Sequence, residues 1–230
     1  TNERPEWSPD GLRVLFRTDN SGKRSEVWWR PVDLSATATP LLSGDRLDVF
    51  EAVLSPDAQF IAYQVDTSGA DVYYRALRGD TTAHPVANSK FLETMARISP
   101  DGKWIAFVTD ESGMGQVVVQ PFPGPGARTQ VSTQGGSEPI WSRDNGQLFY
   151  RGSGKLMSAT VSATPSFTVV KRDTVLDDEF VFAVNPHANY DVMPDGRHFV
   201  FLKSDRDGDL IVVSNFRRVL RDRITASVAK

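Results

Sequence analysis

The chain has 230 residues, a formal net charge of −3 and no cysteine. The lack of cysteine excludes disulfide bonds and thiolate metal sites, and the weakly negative charge argues against nucleic acid as the main partner. No apolar run approaches the roughly 20 residues that a membrane-spanning helix needs. The sequence opens on Thr1 without a signal peptide, so we expect that a processed or further segment precedes it.

A turn followed by a short strand recurs five times along the chain. The repeat is clearest in residues 98–107, which read Ile-Ser-Pro-Asp-Gly-Lys-Trp-Ile-Ala-Phe. The aligned aspartates lie 43 to 51 residues apart, at Asp10, Asp57, Asp101, Asp144 and Asp195. A period of about 40–50 residues built from short β-strands is typical of a β-propeller, in which each repeat forms one four-stranded blade.

The residues of the repeated turn suit its backbone geometry. Proline at the second position presets φ for a type I turn, and glycine at the fourth can take the left-handed conformation that closes the hairpin. Ala58 and Asn145 replace this glycine in the second and fourth copies, and asparagine tolerates positive φ better than most residues. The predicted turn residues are Pro9, Asp10, Gly11, Pro56, Asp57, Pro100, Asp101, Gly102, Asp144, Asn145, Pro194, Asp195 and Gly196.

Each turn leads into a strand that is apolar at consecutive positions. Residues 14–16 read Val-Leu-Phe and residues 105–107 read Ile-Ala-Phe, and the other three copies have the same character. A strand with one exposed face would alternate between apolar and polar residues. The continuous runs therefore predict burial on both faces, as in a blade strand packed between two neighbouring blades.

The repeats divide the chain into five predicted blades, at about residues 1–43, 44–87, 88–132, 133–175 and 176–215. The last blade has no obvious fourth strand, so we expect either an incomplete fifth blade or the final part of a longer propeller. Residues 216–230 combine apolar residues at near-helical spacing with Arg217, Arg218, Arg221 and Arg223. This pattern predicts a short basic amphipathic helix, which either caps the last blade or docks onto an acidic protein or anionic lipid surface.

Two further groups of residues are candidates for partner binding. The first comprises inner-strand positions shortly before each turn, which should lie near the propeller axis at one rim: Arg4, Glu51, Met95, Glu138 and Tyr190. Their mixed charge suits contact with a peptide or protein. On this hypothesis, charge reversal at the two glutamates weakens partner binding and leaves the melting temperature unchanged. The second group, Phe180 and Phe182, forms either an apolar partner-binding patch or a strand tucked under the rim.

Motifs for catalysis or metal binding are weak or absent in the sequence. His84, His187 and His198 have no histidine or carboxylate at ligand spacing, so we predict no metal site and no cofactor. The serine nucleophile motif Gly-x-Ser-x-Gly does not occur. Residues 205–209 have the alternating carboxylates of a calcium loop without its full spacing, which favours a hairpin turn. We therefore expect this chain to carry no enzymatic activity.

The turn and strand of the repeat, Trp-Ser-Pro-Asp-Gly followed by Ile-Ala-Phe, resemble the WD40-like unit PD40, which occurs in TolB and related periplasmic propellers. The second half is similar to the C-terminal periplasmic propellers of bacterial membrane-bound serine/threonine kinases. That similarity rests on residues 150–152 (Tyr-Arg-Gly), 165–167 (Pro-Ser-Phe), 190–199 and 213–216 (Val-Ser-Asn-Phe), where Phe216 departs from the tryptophan common in that family. The resemblance implies an extracytoplasmic sensing or docking module, and the chain contains no catalytic kinase element.

These observations favour a non-enzymatic, protein-binding propeller that acts outside the cytoplasm. It would be an extrinsic docking or stabilising subunit of a membrane or periplasmic complex, with peripheral membrane contact through the basic tail, or the sensor domain of a membrane kinase whose catalytic part lies upstream. The alternative is a hydrolase, or a small-molecule or glycan-binding propeller, with its site in the central channel. A rim cluster of titratable residues with shifted pKa values would favour the enzyme, and a deep apolar pocket would favour the small-molecule sensor.

Overall fold

The fold is taken from a computed structural model that describes residues 2–19, 24–43, 48–66, 69–163, 166–181 and 187–202. Within these ranges the chain is all-β, as predicted, and contains no helix. No helix that could span a membrane occurs among these residues. Phe182, the proposed calcium loop at 205–209 and the basic tail with Arg217, Arg218, Arg221 and Arg223 lie outside the described residues.

The strands form four four-stranded antiparallel sheets and one two-stranded hairpin, each paired in chain order. Blade 1 contains β1 (Asn2–Trp7), β2 (Arg13–Thr18), β3 (Glu26–Pro31) and β4 (Thr39–Leu42). Blade 2 contains β5 (Val49–Leu54), β6 (Phe60–Asp66), β7 (Ala70–Ala76) and β8 (His84–Ala87). Blade 3 contains β9 (Glu93–Ile98), β10 (Trp104–Thr109), β11 (Gln116–Pro121) and β12 (Thr129–Gln130).

Blade 4 contains β13 (Ser137–Trp141), β14 (Gln147–Gly152), β15 (Lys155–Ser162) and β16 (Thr168–Asp177). The described part of blade 5 is the hairpin of β17 (Tyr190–Val192) and β18 (Phe199–Phe201). The first strands of successive blades contact one another, which places them innermost around a common axis. This repeated meander is a β-propeller of about five blades and confirms the predicted fold class.

The third turn shows why the repeat selects serine and aspartate. The Ser99 hydroxyl donates to Asp101 Oδ1 at 2.6 Å and accepts the Trp104 N–H at 3.0 Å. The same serine–aspartate bond occurs in the first, second and fourth copies. At the fourth turn position Gly102 has φ 72°, and Ala58 and Asn145 have φ 52° and 60° in their copies. The alanine therefore adopts a conformation that its side chain disfavours, because the turn requires it.

The core lies between neighbouring blades, and β10 shows how one strand serves two interfaces. Ile105 and Phe107 pack against blade 2, in a cluster that includes Ala62. Ala106 and Val108 point to the opposite side, in a cluster with the apolar residues of blade 4. These four residues of the six-residue strand β10 are all buried. The prediction that consecutive apolar residues mean burial on both faces is confirmed.

The innermost strands of blades 1, 3 and 4 share a backbone irregularity. Arg4, Met95 and Glu138 have φ between 52° and 56°, a range that residues other than glycine rarely adopt. Pairing with the second strand of the blade shifts register at each of these positions. Such bulges bend a strand and re-aim its side chains. They set the direction of the side chains that lie next to the propeller axis.

Candidate functional site

A cleft of about 410 Å³ lies near the axis, where blades 1, 3 and 4 meet the residues that lead into β17. Part of its wall is apolar and comes from Pro5, Trp7, Ile98, Ile140 and Trp141. The remaining wall is polar and includes Glu6, Arg97, His187, Tyr190 and Asp191. The cleft therefore combines an apolar surface with a compact group of ionisable side chains.

Arg97 is the centre of the ionisable group. Its guanidinium donates to Glu51 Oε1 at 2.9 Å and lies 3.2 Å from Glu6 Oε1. His187 Nδ1 lies 2.9 Å from the same Glu51 oxygen. These four residues come from β9, β5, β1 and the segment before β17, so the propeller fold alone brings them together. We call them the axial cluster.

Burial and charge shift the pKa values of the axial cluster in different directions. Burial raises the pKa of Glu6 above its ordinary value, and the nearby Arg97 only partly reverses this effect. Burial also acts to raise the pKa of Glu51, but Arg97 and His187 together outweigh it and lower that pKa. Glu51 is therefore held ionised, whereas Glu6 takes up a proton more readily than an exposed glutamate.

A second buried ion group surrounds Arg151 and lies deeper in blade 4. The Arg151 guanidinium donates to Asp178 Oδ1 at 2.7 Å and to the backbone carbonyls of Val181 and Phe180 at 2.7 and 3.1 Å. It also contacts both carboxylate oxygens of Glu138 at 3.4 Å. Arg151 and Glu138 are fully buried, and the Asp178 side chain is nearly so. This group fixes residues 178–181, which follow β16, to blade 4.

The segment that leads into β17 bridges both ion groups. His187 contacts Glu51 of blade 2, while the Asn189 N–H donates to Glu138 Oε2 of blade 4 at 2.8 Å. The Tyr190 hydroxyl donates to the backbone carbonyl of Glu138 at 2.8 Å. Two inner-strand glutamates therefore hold the start of the fifth blade in place.

The five inner-strand residues predicted to form a binding rim do not share an exposed surface. Glu51, Met95, Glu138 and Tyr190 are buried, and Arg4 is partly exposed, with its guanidinium 4.7 Å from the centre of the Phe50 ring. The physical reason is that bulges and buried ion pairs hold these side chains inside the fold. The two glutamates face arginines, so the geometry predicts a lower melting temperature on charge reversal, contrary to the expectation from sequence.

Phe180 also differs from an exposed patch. Its ring stacks on Phe201 of blade 5 with ring centres 4.2 Å apart, and it packs at the edge of the blade 4–blade 5 core. Of the two alternatives left open by the sequence, the structure favours the one in which this residue is tucked against the propeller.

Sequence reasoning missed Glu6, Arg97 and Asp191, although a signal was present. All three stand two positions before the serine of the turn or its equivalent, where the other copies have Val53 and Ile140. Charged residues of opposite sign at a repeat position that is apolar in the other copies indicate an ion group at the axis. His187 gives no comparable signal, because it lies outside the repeat.

No known protein-family profile matches the sequence. Among solved structures, TolB from Acinetobacter baumannii superposes with a TM-score of 0.67 at 20% identity, over 90% of this chain and 49% of that chain. A protein assigned as TolB from Agrobacterium tumefaciens gives 0.60 at 15% identity, over 76% and 65% of the two chains. The periplasmic gluconolactonase PpgL of Pseudomonas aeruginosa gives 0.55 at 18% identity, over 93% and 69%.

These similarities show a TolB-like β-propeller fold and confirm the resemblance of the repeat to that of TolB. The chain spans about half of the first TolB and just under two thirds of the second.

Proposed function

We propose that this chain is a non-enzymatic, protein-binding β-propeller that acts outside the cytoplasm. The observation that carries the proposal is the mouth of the axial cleft. There Trp7 is 64% exposed, and Pro5 and Pro100 line the same cleft. Large aromatic side chains beside a recess are typical anchors of protein–protein interfaces. The rest of the apolar wall extends the surface that a partner segment can contact.

Glu51, beside the cleft, serves the fold, although the shifted pKa values of Glu6 and Glu51 are a feature that catalytic sites share. Glu51 is only 3% exposed and is held by Arg97 and His187, so its carboxylate is committed to the fold. Within the described part of the chain, the cleft lining includes no serine, threonine, cysteine or lysine. The described lining therefore lacks aliphatic hydroxyl, thiol and amine nucleophiles, although its carboxyl, imidazole and phenol groups are also of types that act in covalent catalysis. The exposed aromatic mouth is what favours a protein partner.

The fold comparisons support an extracytoplasmic location, because the similar propellers include a periplasmic gluconolactonase and TolB proteins. In that compartment the chain would dock on a membrane or periplasmic complex and stabilise it. The similarity of its second half to kinase propellers supports the other assignment, the sensor domain of a membrane kinase. Both assignments use the same cleft to bind a protein.

A hydrolase or a small-molecule or glycan-binding propeller is the second candidate. Glu6 favours the hydrolase, because burial raises its pKa and a carboxyl that holds its proton can act as a general acid. The volume of the cleft, about 410 Å³, lies within the range of small-molecule pockets. The similarity to gluconolactonase makes lactones the first substrates to test.

Photo-crosslinking at Trp7 separates the two candidates. A benzophenone amino acid would replace Trp7 in the full-length protein within its native cells, with the same replacement at Val170 as control. Val170 is 67% exposed on β16 and does not line the cleft. We expect a discrete protein adduct at position 7 and none at position 170. Absence of an adduct at position 7, together with lactone turnover that Glu6→Gln abolishes, would replace the proposal with the hydrolase.

A further inference from the structure

Three metal-ligand residues from distant parts of the chain converge in the axial cluster. Glu6, Glu51 and His187 each offer one ligand atom, and these atoms lie within 4.8 Å of one another. Imidazole nitrogen and carboxylate oxygen are the donors of many zinc sites. We propose that these residues form a site for a divalent transition-metal ion, with Zn²⁺ as the best fit.

Glu51 provides the independent observation that points to a ligand. Oε1 of this carboxylate takes the contacts from Arg97 and His187. Oε2 is buried and has no hydrogen-bond partner among the described residues. Gln64, its cross-strand neighbour on β6, likewise leaves a buried Oε1 without a donor. Buried acceptors are nearly always satisfied, so these two oxygens beside the three ligand residues are places where a cation can be coordinated.

Arg97 already occupies part of this environment, and the site must accommodate it. Its guanidinium contacts Oε1 of Glu51 and Oε1 of Glu6. Each carboxylate has a second oxygen, so an ion can bind there while the arginine keeps its contacts. The positive charge of the guanidinium lowers the affinity of the site for a cation by repulsion. The guanidinium also holds the carboxylate of Glu51 in place, so that this ligand needs little rearrangement when an ion binds.

Only small movements are needed to bring the ligands to zinc distances. Zinc holds nitrogen and oxygen donors at about 2.0–2.2 Å, which places donors of a tetrahedral site about 3.4 Å apart. Glu51 is fixed, whereas Glu6 and His187 are partly exposed and can move toward it. The adjacent cleft gives the ion access from solvent and leaves room for a water ligand.

The imidazole explains why a transition metal is preferred over calcium. Calcium and magnesium bind oxygen donors, whereas imidazole suits zinc, copper, iron and nickel. His187 supplies this nitrogen donor. We therefore expect Ca²⁺ in excess to leave Zn²⁺ binding unchanged.

Calorimetric titration of chelator-treated full-length protein with ZnCl₂ tests the site. We expect one Zn²⁺ to bind, and both His187→Ala and Glu6→Gln to weaken binding by on the order of tenfold or more. His198→Ala is the matched control, because His198 contacts Asp195 in a turn outside the cluster. Glu51 is left unchanged because its replacement endangers the fold.

Absence of Zn²⁺ binding in wild type, or binding that His187→Ala and Glu6→Gln leave intact, would overturn the site. Loss of binding on His198→Ala alone would overturn it equally, because the ion would then lie at the turn. Crosslinking at Trp7 does not depend on the ion, so failure of the metal site would leave the protein-binding proposal standing.

Discussion

The buried ion group around Arg151 allows a quantitative test of the structure. Replacing Arg151 with methionine keeps much of the side-chain volume but removes the positive charge that faces both Glu138 and Asp178. Breaking a buried ion pair from one side typically costs about 3–5 kcal/mol, because the remaining charge stays buried without a partner. For a domain of this size, that loss corresponds to a fall in melting temperature of about 6–20 °C.

The assay is thermal and urea unfolding followed by circular dichroism. Lys155→Met is the matched control, because the Lys155–Asp177 pair lies in the same blade and is exposed, at 42% and 79%. Removing an exposed pair costs about 0–1 kcal/mol. A variant that also carries Glu138→Gln and Asp178→Asn should recover much of the stability, since no unpaired charge remains. Unfolding of Arg151→Met within about 1 kcal/mol of wild type would refute the buried geometry.

Further predictions concern the repeated turn. Gly102→Val should lower the free energy of unfolding by about 1–3 kcal/mol, because φ is 72° there; an unchanged urea midpoint would contradict the turn assignment. Ala58→Gly should raise stability by roughly 0.5–1 kcal/mol in the same assay by relieving left-handed strain, and a loss of stability would count against that strain. The Ser142 hydroxyl and the Gly146 N–H lower the pKa of Asp144 below its ordinary 3.8. This aspartate therefore contributes stability above about pH 4 that is lost as the pH falls through its folded pKa. Ser142→Ala should make acid unfolding less steep, and an identical pH profile would exclude this role.

The sequence predicted the fold because the repeat encodes it locally. Serine, proline, aspartate and glycine specify the turn, and consecutive apolar residues such as Ile105–Phe107 specify a strand between two blades. The structure has both features in the expected places.

The axial cluster could not be predicted in the same way. Glu51 and His187 are far apart in sequence, and no local pattern links them. The inner-strand bulges were also missed, because Arg4, Met95 and Glu138 belong to residue types that disfavour positive φ. Because the bulges turn these side chains inward, the residues expected to line an open rim are largely buried. Long-range packing determines their positions, and the residues of the turns carry no information about that packing.

The central claim is that the mouth of the cleft binds a protein, and the native assembly tests it most directly. The protein would be extracted from its own membranes with mild detergent and separated by size, as wild type, Trp7→Asp and the control Val170→Asp. We predict that wild type and the control travel with a stoichiometric protein partner and that Trp7→Asp travels without it. A polypeptide mass near 25.4 kDa in that assembly would favour the docking subunit, and a mass larger by a kinase domain would favour the sensor. Wild-type protein that migrates alone would contradict the account.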